Sequence, residues 1–201
     1  MSAKCSTERL LSLQILRAVA ALSVVYFHVA GGPKFGAFGV DLFFVLSGFV
    51  MAMLVAHGAS PGVFMLRRMA RIVPLYWLTT LAVVLVGAVQ PAWLASAVRG
   101  VADVLHSLLF IPYSRDNGVL APLLGVGWTL NYEMFFYALI ATCLWVQARH
   151  ATKWVVVTLL ILFVIGLLAP ASSVIASFFG SSHVLEFALG MACYRLFSGG
   201  W

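Results

Sequence analysis

Charge is what this sequence has least of. Only 9% of its 201 residues are charged, six acidic side chains against twelve lysines and arginines, while 63% are hydrophobic and mean hydropathy is +1.06. Soluble domains carry about 25% charged and about 45–50% apolar residues, so the composition excludes a soluble globular domain. The formal net charge of +6 does not indicate nucleic acid, because the basic residues are scattered between long apolar runs and build no basic face. Cysteine is scarce too. Cys5, Cys143 and Cys193 form no CxxC pair and no metal-ligand spacing, so reduced thiols are expected. No internal repeat, low-complexity tract or shift in composition marks a second domain, and residues 1–201 are expected to form a single transmembrane domain. The first apolar run is read as an uncleaved span rather than a leader. Ala18 to Pro33 is uncharged for longer than a leader's core, and Arg17 stands where such a core should begin.

What is present is a series of long apolar runs. Six of them, at about 11–30, 37–56, 72–90, 122–146, 154–170 and 182–197, approach the roughly 20 residues that cross a bilayer. The fold expected is all-α, a polytopic transmembrane helical bundle. One set of connections holds Lys4, Arg9, Arg67, Arg68, Arg71, Arg149, Lys153 and Arg195. The other holds Lys34, Arg99 and Arg115, with Asp103 and Asp116 offsetting two of these. The positive-inside rule therefore expects a cytoplasmic N-terminus and a cytoplasmic Arg67–Arg71 connection. Between the third and fourth spans, apolar Trp93, Ala97, Val101, Val104, Leu105 and Leu108 oppose Ser96, Arg99, Asp103 and His106. That pattern predicts an amphipathic helix on the outer surface, followed by a loop at YSRDNG, 113–118.

Polar groups inside apolar runs carry the chemistry. Arg17 and His28 are eleven residues apart, about 1100° of helix, so they lie about 20° from one line and roughly 16 Å apart along the axis. Alone, Arg17 is explained by snorkelling and His28 by a bond to a backbone carbonyl; a shared face favours function. Glu133 falls near the middle of the fourth span, where a carboxylate costs on the order of 2.5–3.5 kcal/mol to insert. It must be protonated, paired or wet, and Tyr137 shares its face at i+4. Asp41 opens the second span, where a helix N-terminus favours a negative charge. A short loop joins it to His28, so the two are expected to be able to meet. Glu186, inside the sixth span, has the same ambiguity. Pro61 is expected to start a short helix that places Arg67, Arg68 and Arg71 on one side, a set of forks suited to phosphate oxygens or to anionic lipid.

Four blocks in order give a resemblance. They are Arg17 and His28 in LRAVAALSVVYFH, then FGVDLFFVLSGFVM at 38–51, then Arg68-Met-Ala-Arg71 followed by IVPLYW, then GWTLNYEMFFYAL at 127–139. With them the chain resembles the membrane-bound acyltransferase-3 family, bacterial O-acyltransferases of surface polysaccharides, and its short exopolysaccharide-producing branch in particular. The resemblance implies an acyl-CoA co-substrate, acetyl-CoA in the usual case, and a sugar hydroxyl as acceptor. It implies His28 as the catalytic histidine with Arg17 as its motif partner, and Arg68 and Arg71, joined by Arg67, on the CoA phosphates. Glu133 or Asp41 would orient polar groups or relay the proton. No metal and no nucleic acid is called for. Membrane lipids, a carbohydrate acceptor and the bacterial inner membrane are the expected surroundings. Family members have more spans than these six, so the chain corresponds to the N-terminal part of a larger family domain, with a second copy or a partner to supply the rest. Three competing readings are a transporter or flippase subunit, a haem-bearing anchor using His28 and His183, and a non-catalytic remnant.

Overall fold

The computed structural model describes residues 2–29, 38–90, 100–114 and 120–199. Its helices are α1 (Ser2–Val29), α2 (Phe38–Ala56), α3 (Pro61–Val89), α4 (Val101–Leu108), α5 (Trp128–Gln147), α6 (Ala151–Leu168), α7 (Val174–Phe179) and α8 (Ser182–Ser198). Single 3₁₀ turns at Gly125–Gly127 and Ala148–His150 flank α5. Among the described residues there is no strand, only an isolated antiparallel bridge between Ser114 and Leu120.

Among the described residues, six segments are long and apolar enough to cross a membrane: Leu11–Val29, Phe38–Ala56, Pro61–Val89, Gly125–Gln147, Ala151–Leu168 and Val174–Ser198. Their outward faces are greasy. Leu22, Leu66, Leu75, Leu78 and Leu168 are all more than 60% exposed, which water would penalise and lipid would not. The chain is a multi-pass membrane protein. The third span departs from expectation. A short helix followed by a separate span at 72–90 was expected, but α3 is one continuous helix with Pro74 inside it. Pro61 lies in its first turn, where a missing N–H costs nothing. Pro74 removes one backbone bond, a loss that transmembrane helices absorb.

The chain divides into two compact units, residues 1–57 with 182–201, and residues 58–181. In unit one, α2 and α8 run parallel, since Phe44 meets His183 near one end while Phe49 meets Tyr194 and Phe197 further along. Glycines set their spacing. A Cβ on Gly48 would collide with the Phe187 carbonyl oxygen, and one on Gly190 with the Val45 carbonyl oxygen. Such close backbone approach through small residues is how helices associate where no hydrophobic drive exists between them. α1 joins through Ala20, which is 1% exposed. Gly39 of α2 packs there, since its Cβ would stand 2.6 Å from the Ala20 carbonyl oxygen and 2.8 Å from Val24 Cγ2.

In unit two, α3 and α5 are antiparallel. Phe64 meets Tyr137 edge-on at 6.1 Å, and Tyr76, twelve positions further along α3, closes on Gly127 just before the start of α5. Tyr132 of α5 stacks on Phe178 of α7 at 4.1 Å and donates its hydroxyl to the Phe178 carbonyl. Gly166 and Gly180 let α6 and α7 touch backbone to backbone. α4 is the described part of the expected surface helix; Trp93 to Arg99 lie outside the described residues. Its apolar Val101 and Leu105 are exposed, while Ser107 is buried and accepts a hydrogen bond from the Leu123 backbone N–H. Trp77 of α3 fastens the helix by donating to the Leu108 carbonyl.

Candidate functional site

The residues singled out in the sequence fall into both units, and each group has its own surroundings. Arg17, His28, Asp41, His183 and Glu186 belong to unit one; Arg67, Arg68, Arg71, Glu133 and Tyr137 belong to unit two.

In unit one, α1 is unbroken between Arg17 and His28, so the shared line follows from helix geometry. Both stand on the flank of the contact with α2, about 60° and 80° round from Ala20. Arg17 is half-buried and His28 exposed. His28 Nδ1 lies 2.8 Å from the Val24 carbonyl oxygen. A carbonyl can only accept, so Nδ1 carries the proton and Nε2 is the basic nitrogen of the neutral ring. A purely structural histidine would make the same bond.

The expected meeting of His28 and Asp41 is not what unit one shows. Because Gly39 admits α2 against Ala20 and Val24, His28 stands about 6–12 Å beyond that contact along α1. Asp41 turns instead to α8. His183 Nδ1 is 3.9 Å from Asp41 Oδ1 and 3.2 Å from Glu186 Oε2. Ser182 donates to the other Glu186 oxygen at 2.9 Å, and the Phe44 ring lies 5.2 Å from the imidazole. His183 as the partner of Asp41 was missed, although the His183–Glu186 spacing of three and the glycines midway along both helices are readable signals.

In unit two, α3 carries the three arginines inside a helix rather than in a connection. Arg67 and Arg71 are exposed, while Arg68 is half-buried with its guanidinium carbon 5.7 Å from the Phe64 ring and 5.9 Å from the Tyr137 ring. Tyr137, itself 4% exposed, donates its hydroxyl to Glu133 Oε2 at 2.9 Å. Arg68 and Arg71 both act electrostatically on that hydroxyl. The structure therefore gathers Arg68, Arg71, Glu133 and Tyr137 where α3 meets the middle of α5. Glu133 is half-buried and supported by a tyrosine, as its i+4 spacing predicted. Arg68 Nε is buried and has no acceptor among the described residues. Asn131 is 5% exposed and its Oδ1 has no donor among them. A buried N–H of a cation without an acceptor is costly and is the kind of group an anionic ligand satisfies.

Comparison with known proteins agrees with the four blocks. Residues 10–199 match the acyltransferase domain of the acyltransferase-3 family. The chain is 37% identical over 158 residues to the exopolysaccharide production protein ExoZ of Rhizobium meliloti, an alignment covering 78% of this chain and 49% of that protein. It is 32% identical over 190 residues to protein 2 in the picA locus of Rhizobium radiobacter, covering 82% of this chain and 96% of that protein. It is 30% identical over 168 residues to the putative peptidoglycan O-acetyltransferase YrhL of Bacillus subtilis, covering 73% and 26%. The chain thus spans about half the length of the exopolysaccharide relative and about a quarter of the Bacillus one. No solved structure matches it. With a match running over nearly its whole length, the chain belongs to the acyltransferase-3 family.

Proposed function

We propose that the chain acts in the transfer of an acyl group, acetyl in the simplest case, from acyl-CoA to a hydroxyl of a cell-surface or exopolysaccharide sugar. The observation that supports this reading is the buried Nε of Arg68, without an acceptor among the described residues, beside Arg71 and the Glu133–Tyr137 pair. Arg forks suit phosphate oxygens, and CoA is a phosphate-rich donor. The relatives point the same way, one being named for exopolysaccharide production and another as a putative O-acetyltransferase.

In this reading Arg67, Arg68 and Arg71 hold the CoA phosphates. Glu133 fixes the Tyr137 ring under Arg68, so that the guanidinium is presented in one orientation. His28 Nε2 takes the proton of the acceptor hydroxyl while its oxygen attacks the thioester carbonyl. The carbon–sulfur bond breaks, and the proton passes to the departing thiolate, leaving ester and free CoA. Arg17 supports the same face of α1. General-base action of this kind contributes about 10²–10⁴ in rate. The donor is taken from the cytoplasmic side of the bacterial inner membrane, with the N-terminus cytoplasmic as the arginine and lysine distribution suggests.

The test is direct. Membranes containing the chain receive labelled acetyl-CoA, and label is followed into polysaccharide for wild type and for His28→Ala. Incorporation by wild type that falls at least a hundredfold in the variant is expected. Equal incorporation by both removes His28 as the base.

A further inference from the structure

The acyl-transfer reading leaves one polar cluster without a role. We propose that Asp41, His183 and Glu186 form a binding site for a first-row divalent cation of the zinc class, which clips the starts of α2 and α8 together. The three side chains each offer one ligand atom, and these atoms lie within 4.8 Å of one another. Two come from one helix at a spacing of three, and the third comes from the neighbouring helix. Helical bundles commonly build metal sites this way, with ligands projecting from facing helices and a carboxylate paired with a histidine at i, i+3.

Geometry is close to what such an ion demands. Bonds of about 2.0–2.2 Å in a tetrahedral site put neighbouring donor atoms about 3.3 Å apart. His183 Nδ1 and Glu186 Oε2 already stand at 3.2 Å, and Asp41 Oδ1 is 3.9 Å from the same nitrogen. The widest pair, within 4.8 Å, has only about 1.5 Å to close. Rotation of the Asp41 side chain, which is 38% exposed, accomplishes that.

The chemistry of the donors also points to a cation. Both carboxylate oxygens converge on a single ring nitrogen, and a proton on Nδ1 can be given to only one of them. A dication satisfies the nitrogen lone pair and both oxygens together, and two carboxylates with a neutral imidazole balance its charge. Mixed imidazole and carboxylate donors suit zinc and its neighbours better than calcium or magnesium. The supporting contacts are those that orient ligands. Ser182 holds the second Glu186 oxygen, and the Phe44 ring restrains the imidazole. Gly48 and Gly190 fix the distance between the two helices that supply the ligands. The helix starts act against the ion, because their partial positive charge favours carboxylates and opposes a cation. That effect fades within one turn and is weak beside direct coordination. Asp41 leaves the site open on one side for entry of the ion and for a solvent ligand.

The experiment uses the whole chain in lipid nanodiscs, stripped with a chelator and titrated with Co²⁺ alone. One equivalent should bind with a visible absorption band, and Zn²⁺ should displace it. His183→Ala should abolish the band and Glu186→Gln should weaken binding at least tenfold, with helical circular dichroism reporting that each variant is folded. Should His183→Ala not fold, Asp41→Asn, at the most exposed ligand, takes its place. No saturable Co²⁺ binding by wild type, or undiminished binding in the folded ligand variants, overturns the proposal. Neither result depends on acyl transfer.

Discussion

In unit one Asp41, His183 and Glu186 lie within the first five residues of α2 and α8, whereas in unit two Arg67, Arg68, Arg71 and Glu133 sit one to three turns inside α3 and α5. The first placement has nearby solvent and, for Asp41 in the first turn of α2, free backbone N–H groups that favour a negative charge. The second has no such help. Glu133 needs the Tyr137 hydroxyl, and Arg68 lies against two aromatic faces. Unit one is held by glycines that bring α2 against α1 and α8, and unit two adds buried aromatic and hydroxyl contacts to its own Gly166–Gly180 approach. The lesson is that a polar residue in an apolar run is explained by its depth in its helix as much as by its type.

The sharpest way to break this comparison is at the glycines. Gly190→Leu drives a side chain into the Val45 carbonyl and should cost about 3 kcal/mol or more, as overpacking against backbone does. Gly62→Leu, with nothing within 4 Å of its Cβ, should stay within about 0.5 kcal/mol of wild type. Denaturant unfolding in detergent measures both, and equal midpoints would dissolve the α2–α8 contact. In unit two, Ser107→Ala removes the acceptor of the buried Leu123 N–H and should cost about 1–3 kcal/mol in the same assay. No loss would mean that another group satisfies that N–H. Smaller still, Tyr137→Phe should cost roughly 0.6 kcal/mol, an average for hydrogen bonds between side chains in membrane proteins. An effect above that of Ser107→Ala would show that the Glu133 carboxylate depends on the tyrosine more than its partial burial suggests.

Much of the fold was legible because lipid imposes a simple code. Long apolar runs located four of the six spans to within a few residues, while the third and sixth begin earlier than expected, at Pro61 and Val174. Pro61 marked the start of α3, and the spacing of four between Glu133 and Tyr137 predicted their bond. The three arginines were the misleading residues. Their charge set the start of the third span at 72, but α3 runs unbroken through them and past Pro74. The partner of Asp41 was hidden for another reason. Whether Asp41 met His28 or His183 depended on the height at which α2 docks against α1 and on which helix lies alongside it. Gly39, Gly48 and Gly190 set both, and contacts between distant segments leave no periodic trace in sequence. The buried Arg68 Nε, without an acceptor among the described residues, was equally invisible, since its burial depends on Phe64 and Tyr137 from two helices.

The central claim is that unit two presents arginines to the phosphates of an acyl-CoA donor, and CoA binding to the whole chain in nanodiscs tests it most directly. Wild type should bind saturably and more weakly as salt rises. The double variant Arg68→Ala with Arg71→Ala should bind roughly 10–100-fold more weakly, as loss of about 1.5–3 kcal/mol from charge-assisted hydrogen bonds implies. The same affinity and the same salt dependence in the variant would contradict the account.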